Sequence, residues 1–476
     1  MSGGPSRLRA VILSAAMVVG AILLFLLLHT YGSKLAAPER AAPAANAAST
    51  SRSDALLHVL AALAAILIVG RMLSVPFRYL GQPPVIAEIV GGILLGPSFL
   101  GQVWPQAAEF ILPPSVAPYL GAIAQLGVIL YMFVVGLELN LGVMRELAHT
   151  AAAIAQASIL VPFLLGAALA LILYPRFSSS EIPFTSFALF VGIALSITAF
   201  PVLARILTDR RMHKTPLGVL ALGCAAANDV IAWCLLAFVV GVAQAKVSGA
   251  FFVLVLTVAY VGFFLLVVRP TAARVLARLD DGQLTSGVLA LILAAVLLSA
   301  LATEAIGIHA IFGAFLLGAV IPHDSALAQT LARKLEDVVA VMLLPAFFAF
   351  TGMRTQIGLV SGWEAWLMCG LIVLVATAGK FGGTILPARL SGLGWRDAMS
   401  LGVLMNTRGM MELIALNIGL DLNVLSPALF AMMVLMALAT TMATTPVLEL
   451  LAPRSPTPQF QQAGETSHLT PGKPDG

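Results

Sequence analysis

Charged side chains are scarce in this sequence, at 10% of 476 residues, where a soluble domain carries about 25%. Apolar residues make up 60% and the mean hydropathy is +1.01, which excludes an ordinary water-soluble fold and makes the bilayer the solvent. Cysteine is almost absent. Cys224, Cys234 and Cys369 all lie in apolar stretches without metal or redox spacing, and they read as small packing residues. No HExxH, GxSxG or clustered His/Asp constellation supplies a nucleophile or a metal site, so a polytopic membrane enzyme is disfavoured and no cofactor is expected.

What the sequence has in abundance is apolar runs near the roughly 20 residues that cross a bilayer. They fall near 8–29, 54–74, 84–101, 117–138, 149–174, 183–207, 215–244, 248–268, 284–302, 305–321, 338–353, 363–388, 398–420 and 425–451. The connections sort by charge. One side holds Arg71, Arg78, Arg145, Arg205, Arg210, Arg211, Lys214, Arg269, Arg274, Arg278, Arg333, Lys334, Arg389 and Arg396; the other holds Lys34, Arg40, Arg52, Arg176, Lys246 and Arg354. The positive-inside bias makes the first side cytoplasmic and places the C-terminus there. The net charge of +4 is thus a topology signal, and no nucleic-acid partner is needed to explain it.

The first apolar run follows Arg7 and Arg9 and precedes the small-residue stretch Ala44-Ala45-Asn46-Ala47. It reads as a cleaved signal or as an extra helix, the uncleaved helix being favoured. The expected organisation is an N-terminal segment and flexible linker over 1–53, a transmembrane domain over 54–453 and a disordered cytoplasmic tail over 454–476, with no folded domain after it.

Ionisable groups inside a membrane are costly, so each is a candidate for function. They are Glu88, Glu138, Asp229, Glu304, His309, Lys380, Arg408 and Glu412. Asp229, in CAAANDVIAWCLLAFVV, has only apolar and small residues around it, with Asn228 beside it. Burial favours the neutral form of a carboxylate, and water or a bound cation favours the ionised form, so such a group can trade a proton for a metal ion.

The preceding segment contains ALSITAFPVLARIL, where Pro201 removes a backbone donor and turns Phe200 away from helical geometry. The alternatives are a plain proline kink and a broken helix whose carbonyls around Ile197 to Phe200, with the hydroxyls of Ser196 and Thr198, form a cation site. Asn406, Thr407, Arg408 and Gly409 interrupt a later run and suggest a second break, with Arg408 and Glu412 spaced i, i+4 as an internal ion pair. Lys380 lies between Gly379 and Gly383, a small-residue face for close helix approach, and either enters the interior or snorkels. Glu88 shares its segment with Gly92 and Gly96, and answers Arg408 or lines a vestibule. Glu138 is placed at the cytoplasmic mouth, Glu304 at a solvated outer end, and His309 in hydrogen-bonded packing.

The combination VIAEIVGGILLGPSFLG, FVVGLELN, ALSITAFPVLARIL, AAANDVIAW, IHAIFGAFLLGAVIP, FAFTGMRT and NTRGMMELIALNIG, in this order over residues 54–451, resembles the monovalent cation:proton antiporter-2 family. The likeness is strongest to plant cation/proton exchangers and their bacterial relatives within the sodium/hydrogen exchanger superfamily. It implies an all-α polytopic protein in which the thirteen runs after the first form two inverted repeats with crossed broken helices, plus an N-terminal extra helix, in a core and a dimerisation domain of a homodimer. Asp229 matches the family's ion-carrying aspartate and so the site of the transported alkali cation, Asn228 the position before it, and Thr198 the broken-helix residue facing it; Lys380 resembles the basic residue of the opposing repeat. Asn228 stands where electrogenic members have a second aspartate, which implies electroneutral exchange, and the short tail leaves no room for the nucleotide-binding regulatory domain of potassium-efflux members.

The resulting expectation is a K⁺ or Na⁺/proton antiporter of the bacterial inner membrane, working by alternating access with Asp229 shared between cation and proton. The rivals are a cation channel, for which neither a repeated carbonyl filter nor a charged ring is visible, and a carrier of another solute on the same fold.

Overall fold

The computed structural model describes residues 4–38, 52–138, 149–210, 212, 215–244, 250–278, 285–322 and 325–451. Arg40, Arg145, Arg211, Lys214, Lys246, the Ala44–Ala47 stretch and the tail after Pro453 lie outside this set, as do the side chains of Arg52, Glu138, Arg205 and Arg278.

The described residues are helical throughout, without strands, and eleven helices are long and apolar enough to cross a membrane. Leaving aside the short helices Leu100–Val103 and Pro105–Ile111, the helices in chain order are α1 (Gly4–Gly32), α2 (Arg52–Tyr79), α3 (Pro84–Leu95), α4 (Ala117–Glu138), α5 (His149–Phe177), α6 (Phe184–Ser196), α7 (Phe200–Asp209) and α8 (Pro216–Gln244). Then come α9 (Ala250–Phe263), α10 (Arg269–Arg278), α11 (Ser286–Ile306), α12 (Ala310–Val320), α13 (Ala326–Val338), α14 (Leu344–Arg354), α15 (Gly362–Leu390), α16 (Trp395–Met405), α17 (Met410–Asp421) and α18 (Pro427–Leu451). An all-helical solution follows from the solvent: lipid offers backbone groups no partner, so each segment must satisfy its own.

Two helices run further than the apolar pattern marks. The run ending near 268 continues through a π turn, Phe264–Val268, into α10, and the run starting near 338 is preceded by α13 and a π turn, Val339–Leu343. Charges such as Arg274, Arg333, Lys334, Glu336 and Asp337 end the hydrophobic signal without ending the helix. Both π turns have one cause. In a regular helix the rings of Pro270 and Pro345 would clash with the carbonyls four residues back, at Leu266 and Val341; the turns widen just before each proline, so that Arg269 N–H reaches the Phe264 carbonyl and Leu344 N–H that of Val339.

Packing divides the helices into two groups. The α5, α6, α8, α15, α16 and α18 helices pack on one another, with α7 on α8 and α17 on α18, while α2, α3, α4 and α11 to α14 form the other set. Each half of the first group has the same order: long helix, broken helix, long helix. Glycines permit the closest approaches. A Cβ on Gly383 would lie 2.6 Å from the Ala157 carbonyl oxygen, and one on Gly92 would lie 2.2 Å from that of Ala349, so the small-residue faces around Lys380 and Glu88 join α15 to α5 and α3 to α14. Cys224 and Cys369 are buried as packing residues, whereas Cys234 faces outwards from α8.

Candidate functional site

The two breaks meet. Backbone at Ile197 and Ala199 is extended between α6 and α7, and Pro201 sits in the first turn of α7, where its missing N–H costs no helical bond. The second interruption, Asn406 to Gly409, separates α16 from α17. Ala199 N–H donates to the Thr407 carbonyl at 2.9 Å and the Thr198 hydroxyl to the Met405 carbonyl at 2.9 Å. Gly409 allows this, since a Cβ there would stand 2.7 Å from Val202 Cγ2.

A helix that stops inside a membrane leaves its last carbonyls orphaned, with a negative dipole end. At the end of α6 two basic side chains take them. Arg408, 1% exposed, donates to the carbonyls of Ala194 (2.8 Å) and Leu195 (2.9 Å) and pairs with Glu412 at 3.2 Å. Lys380, fully buried, donates to the carbonyls of Ser196 (2.5 Å) and Ser158 (3.1 Å) and to the Thr198 hydroxyl at 2.6 Å. Lys380 therefore enters the interior and does not snorkel. Ser196 contributes its carbonyl; its hydroxyl turns back to Ile193 O at 2.9 Å.

Asp229, on α8 beside this crossing, is 7% exposed. It accepts from the Phe200 N–H at the start of α7 and feels the Lys380 charge, while its Oδ1 has no partner. Asn228 faces the other way: its Oδ1 accepts from Thr198 N–H at 3.3 Å and its Nδ2 donates to Ser158 Oγ at 3.1 Å. The oxygen shell expected from Asn228 and Thr198 is thus engaged in bonds within the protein, and Asp229 Oδ1 is a buried acceptor left over, as are Asn406 Oδ1 in the second break and Glu412 Oε1 just after it.

The remaining candidates lie away from the crossing, at two cavities between the helix groups. Glu88 lines one of about 1010 Å³ together with Arg71, Arg78 and Arg210. Glu412, and not Glu88, answers Arg408. Arg210, just past the end of α7, itself pairs with Glu449 of α18. A second cavity of about 290 Å³, at the end away from those arginines, contains Glu304, His309, Arg354, Asn417 and Asp421. Glu304 is exposed there and caps α12 by accepting from Ala310 N–H at 2.8 Å, and His309 has a left-handed φ of 74° with Nδ1 unpartnered. Hydrogen-bonded packing, the expectation for His309, therefore does not describe Nδ1.

Sequence reasoning missed Ser158 and the α14–α17 contact, in which Arg354 donates to Asn417 Oδ1 (3.0 Å) and Asp421 Oδ1 (2.6 Å). A lone serine in an apolar run gives no charge signal, Arg354 counts only among the charges of the less basic side, and Asp421 is not among the candidates.

Comparison with known proteins bears on the family and the fold. The pattern of the sodium/hydrogen exchanger transmembrane family matches residues 60–451. A relative from Synechocystis sp., described as Na(+)/H(+) antiporter NhaS4, is 43% identical over 404 residues, covering 84% of this chain and 98% of that protein. Cation/H(+) antiporter 20 of Arabidopsis thaliana is 42% identical over 81% of this chain, and K(+)/H(+) antiporter 1 of Saccharomyces cerevisiae 33% identical over 86%. The chain spans about half the length of these two, at 47% and 48%. The solved sodium proton antiporter MjNhaP1 of Methanocaldococcus jannaschii at pH 8 superposes with a TM-score of 0.62 at 14% identity, over 83% of this chain and 96% of that one, which speaks for the fold. The chain is a multi-pass integral membrane protein and belongs to the sodium/hydrogen exchanger transmembrane family.

Proposed function

We propose that the protein exchanges a monovalent cation, K⁺ or Na⁺, for a proton across a bacterial inner membrane, as a carrier and not an enzyme. The observation that carries this reading is the buried Asp229 carboxylate with one oxygen unpartnered beside two crossed helix breaks. Three relatives that bear antiporter names support it. A proton or an alkali cation neutralises this carboxylate, and each excludes the other, which couples the two fluxes through one site. Lys380 and Arg408 neutralise the carbonyl ends around it, so the carboxylate is the group whose partner changes. The C-terminus is cytoplasmic in this reading, and the protein works as a homodimer in which the α5–α8 and α15–α18 group moves against the other helices.

Reconstituted vesicles test it. Na⁺ or K⁺ added outside vesicles with a trapped pH dye should drive proton movement, and with Na⁺ as substrate the rate should not respond to a potential imposed with valinomycin. Moving one net charge per cycle changes the driving force by about 2.3 kcal/mol per 100 mV, so a strong response would reveal a second charge carrier beside Asp229.

Alternating access makes a further prediction at the smaller cavity. Arg354 of α14 grips Asn417 and Asp421 of α17 across the group boundary, and this contact holds that end closed. Asp421→Asn weakens a charge-assisted bond, so a cysteine at the buried, cavity-lining Val128, in a protein lacking the native cysteines, should react about tenfold faster with an impermeant maleimide. An unchanged rate would mean that the contact closes nothing.

A further inference from the structure

Four fully buried residues, Ser158, Asn228, Thr198 and Lys380, close a ring of hydrogen bonds next to Asp229. The polarity of this ring is forced at each step. Thr198 N–H can only donate, so Asn228 must turn Oδ1 towards it, which aims Nδ2 at Ser158 Oγ. Ser158 Oγ can accept there because its own hydrogen goes to the Ala155 carbonyl at 2.7 Å. Its backbone carbonyl meanwhile receives the Lys380 ammonium at 3.1 Å. Ser158 and Thr198 are thus the two residues bonded both to the neighbour of Asp229 and to the charge that faces it, and of the two only Ser158 holds Asn228 through its side chain.

From this ring we infer that Ser158 is a positioning residue: its hydroxyl fixes the Asn228 amide, and through it the extended backbone at Thr198 and the setting of Asp229. The inference rests on the proposed function only for its transport consequence. Without the hydroxyl, Asn228 Nδ2 is a buried donor with no acceptor, and it recovers one only by rotating away from Thr198. Lys380 keeps its bond, because a side-chain change leaves the Ser158 carbonyl in place. The predicted damage is therefore specific to the Asn228 branch and appears in cation affinity more than in turnover.

The test is a set of full-length proteins in proteoliposomes: wild type, Ser158→Ala, Asn228→Ala, the double variant and Ser158→Thr, which keeps the hydroxyl. Ser158→Ala should raise the half-saturating Na⁺ or K⁺ concentration about fivefold, with a smaller change in maximal rate, the size expected for one buried hydrogen bond. Ser158→Thr should restore it, and the double variant should be no worse than Asn228→Ala alone, since both remove one interaction. A half-saturating concentration within twofold of wild type for Ser158→Ala, or additive losses in the double variant, would overturn the inference. Melting the same proteins in detergent reads the coupling without transport. If the wild-type vesicles exchange nothing, the proposed function fails, and additive or non-additive melting losses still decide whether Ser158 holds Asn228.

Discussion

Asp229→Asn should abolish cation/proton exchange, with less than about 1% of the wild-type rate, while the protein still inserts and melts near the wild-type temperature. The substitution keeps the side chain's size, keeps an oxygen to accept from Phe200 N–H, and removes the only exchangeable charge on that part of α8. An amide cannot be neutralised by either ion, so the cycle has no carrier. Dye-reported proton flux, with protein content measured in the same vesicles, checks it. Exchange at the wild-type rate would move the carrier elsewhere, and Glu88, which lines the larger cavity, would be the next carboxylate to test.

The second large effect is on stability. Arg408→Ala leaves the Glu412 carboxylate buried without its partner and strips donors from the Ala194 and Leu195 carbonyls at once. Breaking one side of a buried pair costs about 3–5 kcal/mol, so the variant should melt far below wild type or accumulate poorly. The paired replacement Arg408→Met with Glu412→Leu should regain part of the loss, because no charge is then left uncompensated, although the two carbonyls stay unserved. If Arg408→Ala melts within about two degrees of wild type, the guanidinium does not hold the end of α6.

How much of this was legible beforehand depends on the kind of signal. The breaks were readable because Pro201 and the Asn406–Gly409 interruption violate helix chemistry locally. The Arg408–Glu412 pair was readable from its i, i+4 spacing, and the candidate sites from their cost in lipid. Which carboxylate answers Arg408 became determinate, since Glu412, in the first turn of α17, pairs with Arg408 in the break just before that helix, and Glu88 lines another cavity. The destination of Lys380 was not readable: its three acceptors come from Ser158, Ser196 and Thr198, more than 180 residues away in sequence. Extensions such as α10 and α13 were hidden because hydropathy marks where lipid ends, and a helix need not end there. The membrane-spanning family assignment rests on long ordered motifs, whereas Ser158 and the Arg354 contact exist only through tertiary proximity.

The stitched breaks also have a consequence for mechanics. Non-helical backbone is ordinarily the part of a protein that yields first, with amides that exchange readily. Here the Ala199 amide ends on the Thr407 carbonyl and the Arg408 amide on the Thr441 hydroxyl, both inside one helix group, while contacts between the groups, such as Gln82 to Met442 and Arg354 to Asp421, lie away from the crossing. The compliant surface therefore runs between the groups and the stiffest region surrounds the interrupted helices. Deuterium uptake should be slowest at Ala199 and Arg408, in backbone that looks loose, and faster along the regular helices that border the two cavities.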